Sequence, residues 1–502
     1  MAVCMYGQTT GSIEGTVMDP TGAAIVGVGV TITNEQTRVA TATITNSAGY
    51  FLADTLPSGT YRIEVSHPGF KNAAVSGVKL DIATRVRRDI SLAVGDLAET
   101  VHVEASGAEV NTSDSTVSST ITKEQIGTAV LNGRHFSRLA MLVPGAVYSS
   151  GSDELSGAGL NATGSPVSIN GLNNKSAGWF IDGAYNMNVG NGEANTHVPV
   201  IDSLEEVQVQ TSNYSARYGT TGGAVITAVT KSGGSQFHGG AYEYLRNDSM
   251  DARNFFAVAN PPLKQNQFGF FIGGPVLLPH YNKDRNKTFF FLSEDWRKRR
   301  NATTSLTATP SEALRQGNFQ SEAARTGRPL LDPLTGQPFP NNSIPANRID
   351  PNAALLMSTY FPLPNYSLEP FRNYLNNCVS KLDTRTDTGK LDHNLTDSIR
   401  FSFVLSNDAM SVLSPDAGLA GSPFPVIRQQ ESTGGMAYNI RNTWTLSPRS
   451  VNEISYSAKK LNINLLLANY GADPTRPNGL NIRDFFDGAN TLNQTPAVTF
   501  SQ

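Results

Sequence analysis

Large apolar side chains recur at every second residue in short runs along this chain and never gather into one long block, which confines the backbone largely to strands. Between Arg400 and Ser406, Phe401, Phe403 and Leu405 alternate with residues that are mostly polar. Tyr438, Ile440, Trp444 and Leu446 are interleaved with Asn439, Arg441, Thr443 and Thr445, and Ile454, Tyr456 and Ala458 with Glu453, Ser455 and Ser457. A period of two places one set of side chains on each face of a strand. The longest apolar stretch, Phe268 to Pro279, is broken by glycines and a proline. It falls short of the ~18 residues of a membrane-spanning helix. A helical membrane protein is thereby excluded, whereas a β-barrel, whose strands carry a weaker alternating signal, is not.

With 502 residues the chain is long enough for several domains, and only 16% of them are charged, against about 25% in an ordinary soluble protein. The net charge of -3 offers no basic field to gather phosphates, so nucleic acid is not an expected partner. The two cysteines, Cys4 and Cys378, are too far apart for a redox or zinc spacing, and the 7 histidines, among them His67, His135 and His238, form no ligand-spaced cluster. Phosphate-cradling loops, dinucleotide fingerprints, zinc-hydrolase helices and nucleophile elbows are all missing from the sequence. No enzyme, cofactor or metal is expected. Residues 1–8 are too short for a secretory leader and read as a leader remnant or a mis-called start.

Residues 9–95 read as a small β-sandwich. Ile13/Gly15/Val17, Val28/Val30/Ile32, Tyr61/Ile63/Val65 and Val78/Leu80/Ile82 each alternate, and Asp19-Pro20-Thr21-Gly22, Asn46-Ser47-Ala48-Gly49 and Leu56-Pro57-Ser58-Gly59 carry turn chemistry between them. Their order resembles the carboxypeptidase regulatory-like domain, related to carbohydrate-binding-like folds. That resemblance implies a fold, and the domain is expected to act as a spacer without a site of its own.

Residues 96–118 form a polar linker holding Glu99, Thr100, Val101, His102 and Val103. A short exposed run of β-formers can add itself to the open sheet edge of a partner. The segment resembles the TonB box of outer-membrane receptors; equally, Val101 and Val103 could end the preceding sandwich or start the next sheet. Residues 119–234 carry Asn132-Gly133-Arg134-His135-Phe136 followed by a short helical periodicity that ends at Pro144-Gly145. After these come Asn170-Gly171, Asp182-Gly183, Glu205-Glu206, Tyr218-Gly219, Gly222-Gly223 and Lys231. In this order they look like the plug domain of TonB-dependent transporters, of the Oar-like branch. Gly222-Gly223 suits a close backbone approach before a strand from Ala224 to Thr230. Arg134, Glu205 and Glu206 are expected to reach a polar barrel wall.

Residues 235–502 carry about seven segments near the ~9–11 residues a tilted membrane strand needs. Tyr242, Tyr244, Phe289, Phe291 and Trp296 suit interfacial girdles. The connections alternate between long and short, as in barrels with long outer loops and short inner turns. The long ones are Asn247 to Lys264, a Pro-rich stretch from Arg297 to Thr384, and Asn407 to Gly434; the short ones are Val276 to Asn286, Asn394 to Asp397, and Ser447 to Ser450. The long Pro-rich stretch is a structureless candidate for ligand capture. The expected fold is thus mainly β: a seven-strand-type sandwich, an α+β plug, and the first strands of an antiparallel transmembrane barrel, twenty-two-stranded in the resembled family. Seven strands cannot close in lipid, so the sequence is expected to be the front of a longer receptor.

The resemblance implies an outer-membrane receptor of a Gram-negative cell, with sandwich and plug on the periplasmic side. It would contact outer-membrane lipid and the TonB energy-transducing complex, and take up a small-molecule or oligosaccharide ligand. A secreted or surface-attached β-rich adhesin that binds carbohydrate is the competing expectation.

Overall fold

The computed structural model describes residues 9–95, 100–104, 115–131, 134–148, 167–187, 197–219, 221–253, 260, 262–367, 372–414, 427–447, 450–469 and 476–483. The first domain packs two sheets face to face. Strands β1 (Thr10–Met18), β4 (Tyr50–Pro57), β7 (Arg85–Arg87) and β8 (Ile90–Ser91) make one sheet, while β2 (Gly29–Asn34), β3 (Ala40–Ile44), β5 (Gly59–Ser66), β6 (Asn72–Leu80) and β9 (Thr100–Glu104) make the other. The alternating residues named above meet between them: Ile13, Val17, Val28, Ile32, Tyr61, Ile63, Val78 and Leu80 are all buried. Asp19 and Asn46 each accept backbone N–H groups two and four residues on, from Thr21 and Ala23 and from Ala48 and Tyr50, the local bonding that makes such residues turn formers. One boundary moves. Thr100–Glu104 is the fifth strand of the second sandwich sheet, paired in parallel with Asn72–Ser76 of β6, so the linker does not begin at residue 96. Glu99 lies outside the described residues.

The second domain is built on a five-stranded sheet in the order β10 (Val117–Ile121), β15 (Leu204–Ser212), β16 (Ala224–Thr230), β13 (Ala177–Ile181), β14 (Ala184–Tyr185), with a small hairpin of β11 (Ala146–Tyr148) and β12 (Val167–Ile169) and the short helix α1 (Lys123–Thr128) beside it. Strands β13 and β16 run parallel and are buried throughout, as parallel strands covered on both faces are. A 3₁₀ helix over Phe136–Leu142 drops Phe136 and Leu139 onto Trp179, whose ring meets that of Phe136 edge-on at 5.3 Å.

The third part is an antiparallel meander of seven strands in sequence order: β17 (His238–Asn247), β18 (Leu263–Pro275), β19 (Thr288–Thr307), β20 (Tyr374–Asn394), β21 (Ile399–Ser414), β22 (Ile427–Ser447) and β23 (Ser450–Asn469). Its outer face exposes Phe270, Ile272, Leu292, Phe401, Phe403, Leu405, Ile440, Trp444, Ile454 and Tyr456. Its inner face buries Gln265, Gln267, Ser293, Asp295, Arg297, Thr388, Ser406 and Asn439. Apolar outward and polar inward is the side-chain arrangement of an outer-membrane wall.

Three expectations change here. Phe289 and Phe291 are buried on the inner face and are not girdle residues; Phe291 lies beside Phe271, itself on the plug side under Lys231. Trp296 does face outward, stacked on Phe268 with ring centroids 5.4 Å apart. The strands also outrun the hydrocarbon: β20 and β22 have 21 residues each. Paired hairpins supply each other's hydrogen bonds, so such strands continue into water once they leave the lipid.

The stretch after β19 is also not structureless. It folds into α2 (Glu312–Arg315), α3 (Gln320–Thr326) and α4 (Pro351–Tyr360), the last capped by the Asp350 carboxylate. Leu356, Tyr360 and Phe361 form a small core with Leu480 and Ile482 from beyond β23. A bidentate Arg348–Asp332 pair at 2.5 and 2.9 Å and reciprocal bonds between Asn352 and Asn481 fasten it.

The outer face sets a stability test. Phe403, fifth residue of β21, should sit near mid-membrane, where Arg costs about 2–4 kcal/mol. Phe403→Arg should therefore lower the unfolding free energy of the full-length protein folded into lipid vesicles by that amount, read from its denaturant titration; an unchanged free energy would place this face away from lipid.

Candidate functional site

The plug meets the wall through three carboxylates. The first belongs to Asp182. Asp182-Gly183 is the two-residue turn between β13 and β14, with φ of 47° and 87°, the conformation for which Asp-Gly is preferred in hairpins. The turn is thrust into the wall: the Asp182 carboxylate accepts from the Thr230 N–H at 3.1 Å and its hydroxyl at 2.8 Å, and pairs with Lys390 of β20 at 3.4 Å. The Asp182 carbonyl accepts from Asn439 at 2.7 Å and Arg441 at 2.8 Å, both on β22. Both members of the ion pair are buried, with side chains 9% and 5% exposed for Lys390 and Asp182.

The second joint centres on Asp202. Arg134, held at a φ of 49°, pairs with it at 2.8 Å and lays its guanidinium over the Tyr244 ring at 3.7 Å. The Tyr244 hydroxyl donates to the same carboxylate at 3.1 Å. Lys231 donates to the Asp202 carbonyl at 2.5 Å and sits 4.1 Å over the Phe271 ring; burial holds its ammonium below the usual lysine range. The third joint is His197 of the plug against Asp408 of β21 at 2.5 Å, with the His197 backbone bracketed by both ends of the Asn186 amide.

The remaining expected residues have other work. Glu206 does not reach the wall: it turns to the sandwich, where its carboxylate accepts the Ile82 N–H at 2.5 Å while Gln208 donates to the Ile82 carbonyl at 2.7 Å. β15 alternates, and at this position its side chain faces the first domain. Burial, reinforced by the Asp81 charge, pushes the Glu206 carboxyl up to about 8. Glu205 pairs within the plug with Lys123 at 3.5 Å.

Gly222 and Gly223 both donate to the Ser176 carbonyl, at 3.1 and 2.9 Å, and a Cβ on Gly223 would lie 3.2 Å from that of Ser176. Tyr218 packs edge-on against Phe180, Gly219 ends the short 3₁₀ turn before it, and Asn170-Gly171 forms a left-handed turn whose amide reaches the Thr211 carbonyl. Asn132 and Gly133 lie outside the described residues. Sequence reading missed Asp202, His197, Lys390, Asp408, Asn439 and Arg441; of these, Asn439 and Arg441 carry the one available signal, polar residues on the inner side of an alternating strand.

The sandwich also touches the wall. Ser235, at the plug-to-wall passage, donates to the Gln36 carbonyl at 3.1 Å, Arg400 donates to Thr41 at 2.6 Å, and Arg441 to Thr9. A cavity of about 160 Å³ lies where the three parts meet, lined by Asn34 and Tyr61, Asp182 and Thr230, and Lys390 and Arg400. Among the described residues no group of three or more His, Cys, Asp or Glu is arranged to hold a metal ion.

Family models match in three consecutive blocks: carboxypeptidase regulatory-like domain over residues 12–93, TonB-dependent receptor plug domain over 110–225, and outer membrane beta barrel domain over 229–502. A curated relative, the TonB-dependent transporter Oar of Myxococcus xanthus, is 26% identical over 308 residues, covering 57% of this chain and 27% of its own length. This chain thus spans about a quarter of that relative.

Solved structures with similarity include the outer membrane transporter YddB from Escherichia coli, at 11% identity and TM-score 0.42 over 68% of this chain and 38% of that one. The siderophore receptor PirA from Acinetobacter baumannii shows 13% identity and TM-score 0.36, over 69% and 44%.

Two outcomes test the joints. Asp182→Asn keeps a residue that tolerates the left-handed turn but strands the Lys390 charge in a buried site, which should cost about 3–5 kcal/mol. Asp182→Asn with Lys390→Met should recover most of that loss in a double-mutant cycle of urea unfolding in detergent. For Glu206 the folded value lies above the unfolded one, so its stabilising contribution is complete below the unfolded pKa, near 4.5, and is lost as pH rises toward about 8. Melting temperatures of the Glu206→Gln protein should vary less across that window than those of the parent.

Proposed function

This chain belongs to the outer membrane β-barrel domain family and to the TonB-dependent receptors of the Gram-negative outer membrane, and from that premise we propose that it takes up a scarce solute, an oligosaccharide, a siderophore or the like. The observation that carries the proposal is the chemistry of the plug's seat. Asp182, Asp202 and His197 hold the plug to β17 and to β20–β22 by one buried ion pair and by hydrogen bonds, while the plug's apolar core around Trp179 is closed within the domain. Water can replace polar bonds one for one once a path opens, so such a plug can be drawn aside without baring an apolar face. A plug fixed by its core would have to unfold to move.

The energy-transducing partner of the inner membrane grasps the strand around Glu99 to Val103 and pulls, with the proton gradient as source of work. The hairpins beyond the membrane and the folded stretch between β19 and β20 meet the solute first. The test is deletion of Glu99 to Val103 in the full-length protein. Surface binding of the solute should persist while energised uptake is lost; uptake at the parent rate would refute the proposal.

A further inference from the structure

The sandwich has no role in the uptake just described, yet it holds the very strand that the partner is to grasp. β9 runs parallel to β6, with Thr100 opposite Asn72, Val101 opposite Ala73, His102 opposite Ala74, Val103 opposite Val75 and Glu104 opposite Ser76. Among the described residues it is the only parallel joint in its sheet, the other three being antiparallel, and parallel pairing is slightly the weaker per residue. It is also short, at five residues, so it is the seam of that sheet that parts most easily.

The docking of the sandwich makes this position consequential. The domain is tied to the plug through Ile82 and Glu206, and to the wall through Gln36 and Ser235 and through Thr41 and Arg400. While β9 stays on β6, a pull on it is borne by the sandwich and passes through those ties to the immobile wall. Only when β9 has left β6 does the chain after Glu104 lead tension to β10 and the plug.

We infer that the edge of β6 from Asn72 to Ser76 is a holding surface for Thr100–Glu104, and that the energy-transducing partner must strip this strand from it by main-chain exchange before force reaches the plug. This rests on the reading of Glu99 to Val103 as the grasped strand. The sandwich then acts as a clutch that keeps an idle receptor disengaged. A strand exchanged from β6 to the partner keeps the number of its main-chain hydrogen bonds nearly constant, which lets the transfer proceed close to balance.

Hydrogen exchange on the full chain in detergent tests this, with the purified periplasmic domain of the partner as probe. Amides face alternately to either side of a strand, so half of those from Asn72 to Ser76 point to β9 and half to β5. Without the probe, the amides of 100–104 and the β9-facing amides of β6 should both be slow. With it bound, the β9-facing amides should speed up by about tenfold or more, those of 100–104 should stay slow in their new sheet, and the β5-facing amides should not change.

Two results overturn the inference: fast exchange of 100–104 before the probe is added, or β9-facing amides that stay slow after it binds, which would mean that the partner adds to the free outer edge of β9. Failure of the probe to bind in a pull-down is a different result. It sinks the proposed function, and the exchange without probe then decides on the holding surface alone.

Discussion

A backbone amide in hydrocarbon has no water to bond, so every N–H and C=O at that depth must find a partner in the protein. Between neighbouring strands from β17 to β23 this demand is met by ladders that run without a break through most strand pairs, from Thr288 opposite His393 to Thr307 opposite Tyr374 in the longest described stretch of β19 and β20. Proline appears in these strands only as Pro275, the last residue of β18, where a missing donor costs least. Once the ladder is fixed, side chains have only two directions open to them. The low charge content, the exposed phenylalanines of β21 and the buried glutamines of β18 all follow from that division.

The inner direction leads to the plug, and there the same wall needs polar groups with partners. Buried charges are tolerated when paired, and Lys390 with Asp182 meets that condition across the interface, while Arg134 pairs with Asp202 at its half-buried rim and His197 hydrogen-bonds to Asp408. The plug contributes mostly turn and loop residues to these contacts, joined by the end of β16, where the Thr230 carbonyl accepts from Lys390 at 3.1 Å. Its two buried parallel strands, β13 and β16, give the Asp182 turn a rigid base. That is how a turn of two residues can be placed accurately against two wall strands at once.

How much of this was written in the sequence differs by element. The short inner turns at 276–286 and 394–397 were legible because alternation stops there and turn formers intervene, and β18, β19, β20 and β21 end and begin beside them. The upper ends were not. Arg297, Lys298, Arg299 and Arg300 look like a loop in one dimension, but they continue β19, with Arg297 and Arg299 buried inward and Arg300 bidentate to Asp383 at 2.7 and 3.0 Å. Strand propensity could not reveal this, because the neighbour that stabilises it lies 83 residues away. The plug's turn motifs were visible as motifs, while their wall partners were not: Asp182 and Lys390 are 208 positions apart. Glu206 was misassigned for a simpler reason, since sequence alone does not tell which side of β15 faces a neighbouring domain.

The length of the outer hairpins carries its own consequence. A strand rises about 3.3 Å per residue, and β20 and β22 keep roughly ten residues beyond what a tilted crossing requires. These hairpins, with the small core around Leu356 packed on Tyr374 at the head of β20, project well past the length that a crossing uses. Side chains along that overhang can change while the seat of the plug at Asp182 and Asp202 is left untouched.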